Sequence, residues 1–372
     1  MNPRVAAGLV RIAVLILGVA AVVYAAGGPV GAWSAPTGDP AGPAVPRLLS
    51  GTGLYAPDGT VDPANQPFAP QYPLWSDGAT KRRWIRLPPG TRIDVTDLDA
   101  WRFPVGTRLW KEFAWDDRKV ETRMIWQPQP GQWVFATYVW NQEQTDAELA
   151  PSGGLRDVLE VAPGRRHSIP AEADCRTCHL GSPAVVLGFG ALQLSDDRDP
   201  LAPHAEPLPA GAVTLRTLVE ADRLDPPRPD LVQRPPRIRS FDPTERAALG
   251  YLSANCGGCH NAVGPQARLG LVLQHDAAGQ GHASEPGLMT TLDVPGRYAV
   301  PGRPADSCRV VAPGKPELSA LLHRMESRRP AAQMPPLGTV IADDEAVALV
   351  RRWITGLRPG APPANEVSSR AR

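Results

Sequence analysis

Residues 242–260 read DPTERAALGYLSANCGGCH. The stretch opens as a helix: Asp242 is an N-cap acid, Pro243 stands at the first helical position, and Glu245 completes a capping box. Ala247, Ala248, Leu249, Tyr251 and Leu252 give this helix an apolar face, and it runs into Cys256-Gly257-Gly258-Cys259-His260. The same spacing occurs upstream, as Cys175-Arg176-Thr177-Cys178-His179. C-x-x-C-H is the attachment signature of c-type haem. Two thiols a short turn apart add to the two vinyl groups of one porphyrin, and the adjacent imidazole is directed at the iron. Two copies in a chain with five Cys and seven His predict two covalently bound haem c groups. Cys175, Cys178, Cys256 and Cys259 are then the attachment points, and His179 and His260 the proximal iron ligands. Two rival readings use the same cysteines: a four-thiolate zinc site, and a pair of redox disulfides. The zinc site leaves both His unexplained and must span more chain than a zinc ribbon does. Cys308 is left over and is expected as a buried structural thiol, with an intermolecular disulfide as the alternative.

Downstream of the second motif, Pro316 to Met325 reads as a short helix with Leu318, Leu321 and Leu322 on one side. Asp343 to Leu357 reads as a longer one whose apolar face holds Val347, Leu349, Val350, Trp353 and Ile354. Between them lies Met334-Pro335-Pro336-Leu337-Gly338, a rigid setting suited to holding a thioether against iron, and His/Met ligation raises the haem potential. Helix, C-x-x-C-H, a Pro-bracketed Met and a terminal amphipathic helix with Trp353 together resemble a class I cytochrome c domain. That resemblance implies an all-α module over residues 241–358, with Met334 as the distal ligand opposite His260. Met325, expected to pack beneath Leu321 and Leu322, and Met289, in a polar loop, are weaker rivals. The insert from Gly264 to Pro304 is longer than that family's compact minimum.

The first motif lacks such a Met, since none occurs between His179 and Met289. His167, His204 and Met124 are the candidate distal ligands, each with a blander reading: exposed loop residues for the two His, a strand core residue for Met124. A vacant sixth position would instead leave an iron open to substrate oxygen.

Residues 50–165 have a different texture. Eight of the ten Trp fall between 75 and 140. Leu109 to Trp115, Val120 to Trp126 and Trp133 to Trp140 alternate in side-chain character, with turn residues between them. These predict an antiparallel meander, one half of a sandwich or a small barrel. The fold class expected is therefore multidomain α+β: this β-rich domain, a first haem-binding segment at 166–195, a Pro-rich linker at 196–240, and the 241–358 module.

Residues 1–35 read as an export signal, with Arg4 and Arg11 ahead of the apolar run Ile12 to Ala26. A signal peptide and an uncleaved membrane anchor are both compatible with it, and either implies a periplasmic or otherwise exported protein, where covalent haem attachment is completed. Lys plus Arg number 39 against 38 Asp plus Glu, a formal charge of +1, so the field that gathers nucleic acid is absent. Lys occurs only at 81, 111, 119 and 315, and that pattern alone points to no function.

Tyr72-Pro73-Leu74-Trp75-Ser76-Asp77, Phe103-Pro104-Val105-Gly106-Thr107 and Tyr138-Val139-Trp140-Asn141, in that order before the two haem motifs, resemble a bacterial family of exported dihaem c-type cytochromes. The resemblance covers residues 50–195 and 240–358 and implies the architecture more than the reaction. One-electron transfer to a redox partner protein in the cell envelope is expected because closed six-coordinate haem suits transfer without bond chemistry. Three functions follow: an electron carrier, a peroxidase-like dihaem enzyme with an open first haem, and a β domain binding an envelope polymer or partner. No acid pair, activated nucleophile or phosphate loop suggests chemistry apart from the haems.

Overall fold

A computed structural model describes residues 44–279 and 281–358. Its centre is one open sheet in the order β1-β2-β4-β5-β6-β7, formed by Gln66–Pro67 (β1), Thr80–Arg86 (β2), Arg108–Trp115 (β4), Arg118–Gln129 (β5), Gln132–Trp140 (β6) and Ala147–Leu149 (β7). Every pairing in it is antiparallel. The three predicted strands are β4, β5 and β6. Asp116 and Asp117 make the tight turn between the first two, both with positive φ (46° and 59°), a conformation that short polar side chains tolerate.

Because the side-chain period of a strand is two, register sorts the sheet into two faces. One carries the row Trp84, Trp110, Met124 and Ala136 and packs with Leu49, Leu54, Tyr138 and Trp140 into an aromatic core. The other carries Ile85, Leu109, Ile125 and Phe135 in one row and Arg83, Lys111, Arg123 and Thr137 in the next. Its apolar row is covered by Phe103, Phe189, Leu194, Leu215 and Leu231. The expected linker thus supplies core residues. Within it, α2 (Leu215–Glu220) and α3 (Asp230–Gln233) lie on this core, and Leu224–Asp225 (β10) pairs in parallel with Ile93–Asp94 (β3). The hairpin of Leu155–Ala162 (β8) and Arg165–Ile169 (β9) leads into α1, Glu172–His179.

Past the segment 196–240, the predicted helix is present as α4, Pro243–Cys256, with the Asp242 carboxylate accepting from the Thr244 and Glu245 amides. Glu245 does not complete a capping box. Its carboxylate turns inward to accept from Ser240 Oγ at 2.7 Å and Trp353 Nε1 at 3.1 Å, and it also binds His282. Trp353 belongs to α7, Asp344–Gly356, so this buried carboxylate joins two helices. The helix predicted at Pro316–Met325 is broken at Ser319 into a 3₁₀ turn, Pro316–Leu318, and α6, Ala320–Glu326. A single helical turn, α5, spans Pro286–Met289.

Two expectations about the fold class are overturned. The β-rich region is neither a sandwich nor a barrel, because its six strands form one open sheet whose faces are covered by loops and helices. Nor is there an all-α class I cytochrome c-like domain. Between α4 and α6 the chain is loop apart from α5 and short 3₁₀ turns, held by isolated bridges such as Leu292 to Val311 and Pro295 to Arg309. The helices have no core of their own: α4, α6 and α7 bury Leu249, Leu322 and Val350 together with Tyr72, Leu192, Ala202 and Ile238 from outside the expected module. Among the described residues, those from Val45 to Arg358 pack as one compact unit. The leader read at residues 1–35 lies outside the described residues, and among those described no helix is long and apolar enough to cross a membrane.

The closest approach within this shared core is at Gly250, where a Cβ would overlap the Tyr72 ring. That ring is 2 % exposed and its hydroxyl donates to Asp199 at 2.8 Å, so it has nowhere to retreat. Overpacking costs about 1–3 kcal/mol, and the higher helix propensity of Ala returns about 1 kcal/mol. Gly250→Ala is therefore expected to lower the unfolding free energy by about 1 kcal/mol in denaturant titration. An unchanged or raised midpoint would show that Tyr72 does not pin α4.

Candidate haem-binding site

The first motif closes α1. Its Cys175 and Cys178 are three residues apart, hence on one helix face, and Cys175 packs on the core over the apolar row of the sheet. The Ala171 amide donates to Asp174 at 3.0 Å and helps start the helix. The His179 ring lies 5.2 Å from that of Phe135 in β6, and its Nδ1 stands 2.7 Å from the Val185 carbonyl. Burial holds His179 down at about 4, so the imidazole is neutral at pH 7. With Nδ1–H donated to a carbonyl, Nε2 presents its lone pair, the tautomer an iron ligand needs.

The second motif begins on the last residue of α4 and continues as a turn, with the Cys259 and His260 amides returning to the Cys256 carbonyl at 3.1 and 2.8 Å. Cys256 packs on the helical core, and burial pushes its thiol up to about 12. His260 is lowered by burial and then by the charge of Arg324, and its Nδ1 is buried without a partner.

The fold brings the two motifs together. The Cys178 and Cys259 thiols interact: contact with Cys259 raises the Cys178 thiol, and the same contact lowers that of Cys259. Asn261, fully buried, donates from Nδ2 to the Gly181 carbonyl at 3.1 Å and to the Gly257 and Gly258 carbonyls. Its Oδ1 accepts from the Val263 and Gly264 amides. A Cβ at Gly264 would collide with the Gly181 carbonyl, so the segments after the two motifs touch backbone to backbone. Nothing in the sequence marks Asn261, the residue following the second motif, for this task.

Met334 sits half-buried in its Pro-bracketed loop, its amide donating at 2.9 Å to the carbonyl of Arg324, the residue whose charge His260 feels. Met325 is core, as expected, and Met289 is 64 % exposed. The three candidate distal ligands for the first motif are engaged elsewhere. Met124 lies in the aromatic core, on the sheet face opposite Phe135 and the first motif. His204 stacks on Trp75 and is held between Asp343 at 2.8 Å and Glu345 at 3.2 Å. His167 is a buried strand residue rather than an exposed loop residue, with Nε2 3.0 Å from Glu121 and Nδ1 3.9 Å from Asp77. It borders a cavity of about 270 Å³, also lined by Asp77, Arg165, Arg328 and Leu337, under the Met334 loop. Cys308 is buried, its Sγ 3.4 Å from the Pro304 carbonyl.

Four free, half-buried thiols, an imidazole with Nε2 uncommitted and another with an unpartnered buried nitrogen fit a pair of c-type haems. Among the described residues no three His, Cys, Asp or Glu side chains converge on a point. A four-thiolate zinc site requires such convergence. A porphyrin brings four donors of its own and asks the protein only for axial ones.

Glu121 supports this region from below. Burial raises its pKa, but the Arg123 charge and the His167 hydrogen bond prevail and hold it at about 2. A carboxylate depressed on folding contributes stability that is present above its unfolded value near 4.5 and lost as pH falls towards 2. Glu121→Gln leaves Arg123 and His167 without their shared anion. It is expected to cost about 3–5 kcal/mol at pH 7 and to flatten the acid limb of the stability curve, and an unaltered limb would place that titration elsewhere.

Comparison of the chain with protein-family models, with curated proteins and with solved structures gives no match in any of the three.

Proposed function

We propose that the chain is an exported dihaem c-type electron carrier of the bacterial cytochrome type its motifs resemble. The observation that carries this is the contact between the two C-x-x-C-H segments. Electron exchange between two haems requires that they lie close, and the contact of Asn261 and Gly264 with Gly181, which sets the two segments side by side, supports that. Cys175 and Cys178 would hold one porphyrin and Cys256 and Cys259 the other. Bound there, the irons would supply one-electron redox chemistry.

The chain's residues orient and shield. The Val185 carbonyl fixes the His179 tautomer and strengthens its donor nitrogen. Met334 is the proposed partner of His260, since its loop is tied to Arg324 beside that imidazole. A thioether on a Pro-stiffened loop favours a closed iron of raised potential. Covalent attachment is completed outside the cytoplasm, in keeping with the apolar N-terminal segment, and the redox partner is then a protein of the cell envelope.

A second reading, a peroxidase-like enzyme, is favoured by one observation: His167, His204 and Met124 all have other partners, so none of them is free to close the first iron. Carbon monoxide separates the two. A pyridine haemochrome count of two is expected for the purified protein. Reduced spectra indifferent to carbon monoxide identify the carrier, and Met334→Ala then makes one haem bind the gas. A shift of one haem in the unaltered protein, with peroxide consumed against a reduced donor, selects the enzyme. A count of zero with bound zinc overturns both.

A further inference from the structure

The floor beneath the first motif is itself amphipathic. On the sheet face that meets α1, the row Ile85, Leu109, Ile125 and Phe135 is apolar. Two residues along each strand, about 7 Å away, the row Arg83, Lys111 and Arg123 is cationic. Arg83 is paired with Glu206 and Arg123 with Glu121. Lys111, between them, has no hydrogen bond or ion pair among the described residues, and its Nζ rests 4.7 Å from the centre of the Phe113 ring. Lys81, one row further on, donates to the Leu74 carbonyl at 2.8 Å. This half-buried ammonium is flanked by two guanidinium groups whose carboxylates are already paired. Burial first, and then Arg83, Lys81 and Arg123, push Lys111 well below its ordinary value.

The row belongs to the first motif. α1, which ends in His179, packs on β6, the strand whose Thr137 stands opposite Arg123. Phe135, against which His179 packs, is two residues from Thr137, the end of the cationic row. At its other end Arg83 opens on a cavity of about 480 Å³ that Lys81, Glu206 and Trp75 also line.

We infer that Lys111, set between Arg83 and Arg123, is the seat for the carboxylates of the group attached at Cys175 and Cys178. A c-type haem is an apolar plate with two propionates on one edge. The cationic row borders Phe135, on which His179 packs, and Lys111 is its member with no acid of its own among the described residues. This rests on the dihaem reading and adds to it the residue that orients the first porphyrin and tunes its iron. A cation held against a propionate disfavours the ferric state, so Lys111 raises the potential of the first haem and leaves the second alone.

The test is a redox titration of the intact haem-loaded protein in a buffer free of carboxylate and phosphate. Lys111→Met is expected to lower the midpoint of one haem and leave the other unchanged, while Lys111→Arg restores the original value. Lys111→Gln serves if the Met variant does not accumulate. Two haems with unaltered midpoints in Lys111→Met overturn the seat. A difference that appears only on adding acetate or phosphate shows a site for a free anion, and also overturns it. An unaltered chain carrying no covalent haem overturns the dihaem reading instead, so the two failures are distinct.

Discussion

The arrangement of the molecule depends on one buried amide. Asn261 makes hydrogen bonds to five backbone groups, three through Nδ2 and two through Oδ1, and only one of those groups lies outside its own turn. That one, the Gly181 carbonyl, belongs to the other motif. A primary amide can both donate and accept through a planar head, and it is fully buried here. Leaving its partners unsatisfied would cost each of them its desolvation penalty. The side chain thus fixes the turn after His260 and fastens it to the segment after His179. Gly264 permits the approach and Asn261 holds it.

That fastening accounts for the failure of the modular expectation. The helices at 243–256 and 344–356 were legible because N-cap acids, Pro at the first position and helical spacing of apolar residues are local signals. The strands at 108–140 were legible for the same reason, as alternation and turn residues announce them. What covers each apolar face is a long-range matter. Val350 and Leu249 would serve equally in a self-contained helical domain and in the shared core with Tyr72 and Ile238 that the structure has. Gly250 is where the difference could have been seen. A glycine inside an otherwise apolar helix face suggests that something large approaches, but its sequence neighbours do not say that Tyr72 does.

Charge was the less legible half of the site. Both C-x-x-C-H strings and the Pro-bracketed loop of Met334 are local features of the sequence. Glu121 and His167, by contrast, are far apart in the chain and meet only because β5 and β9 do. His167 looks like a loop residue beside Arg165 and Arg166, yet its burial is decided by Trp115 and Glu121. Lys111 stood among four scattered Lys with no distinguishing mark. Its strand alternates Leu109, Lys111, Phe113 on one face, and a cation between two apolar inward positions is a local inconsistency of the kind that gathers at functional sites.

The sheet's two faces show how one architecture can carry both stability and chemistry. The Trp84, Trp110, Met124 row is wholly apolar and packs on the chain's own residues, so it needs nothing from outside. The opposite face is apolar for one row and cationic for the next. No segment of the described chain supplies acids in number to match that second row, since Glu206 and Glu121 are already committed to Arg83 and Arg123. A face that its own protein satisfies in one half and leaves unmatched in the other has the form of a binding surface. Burying an unpaired charge is costly, and an anion set against Lys111 would offset that cost. That unmatched half lies beside the first motif, whose helix packs on β6. On the proposed reading its occupant would be apolar in its body, anionic at one edge, reactive towards two thiols and in need of one imidazole.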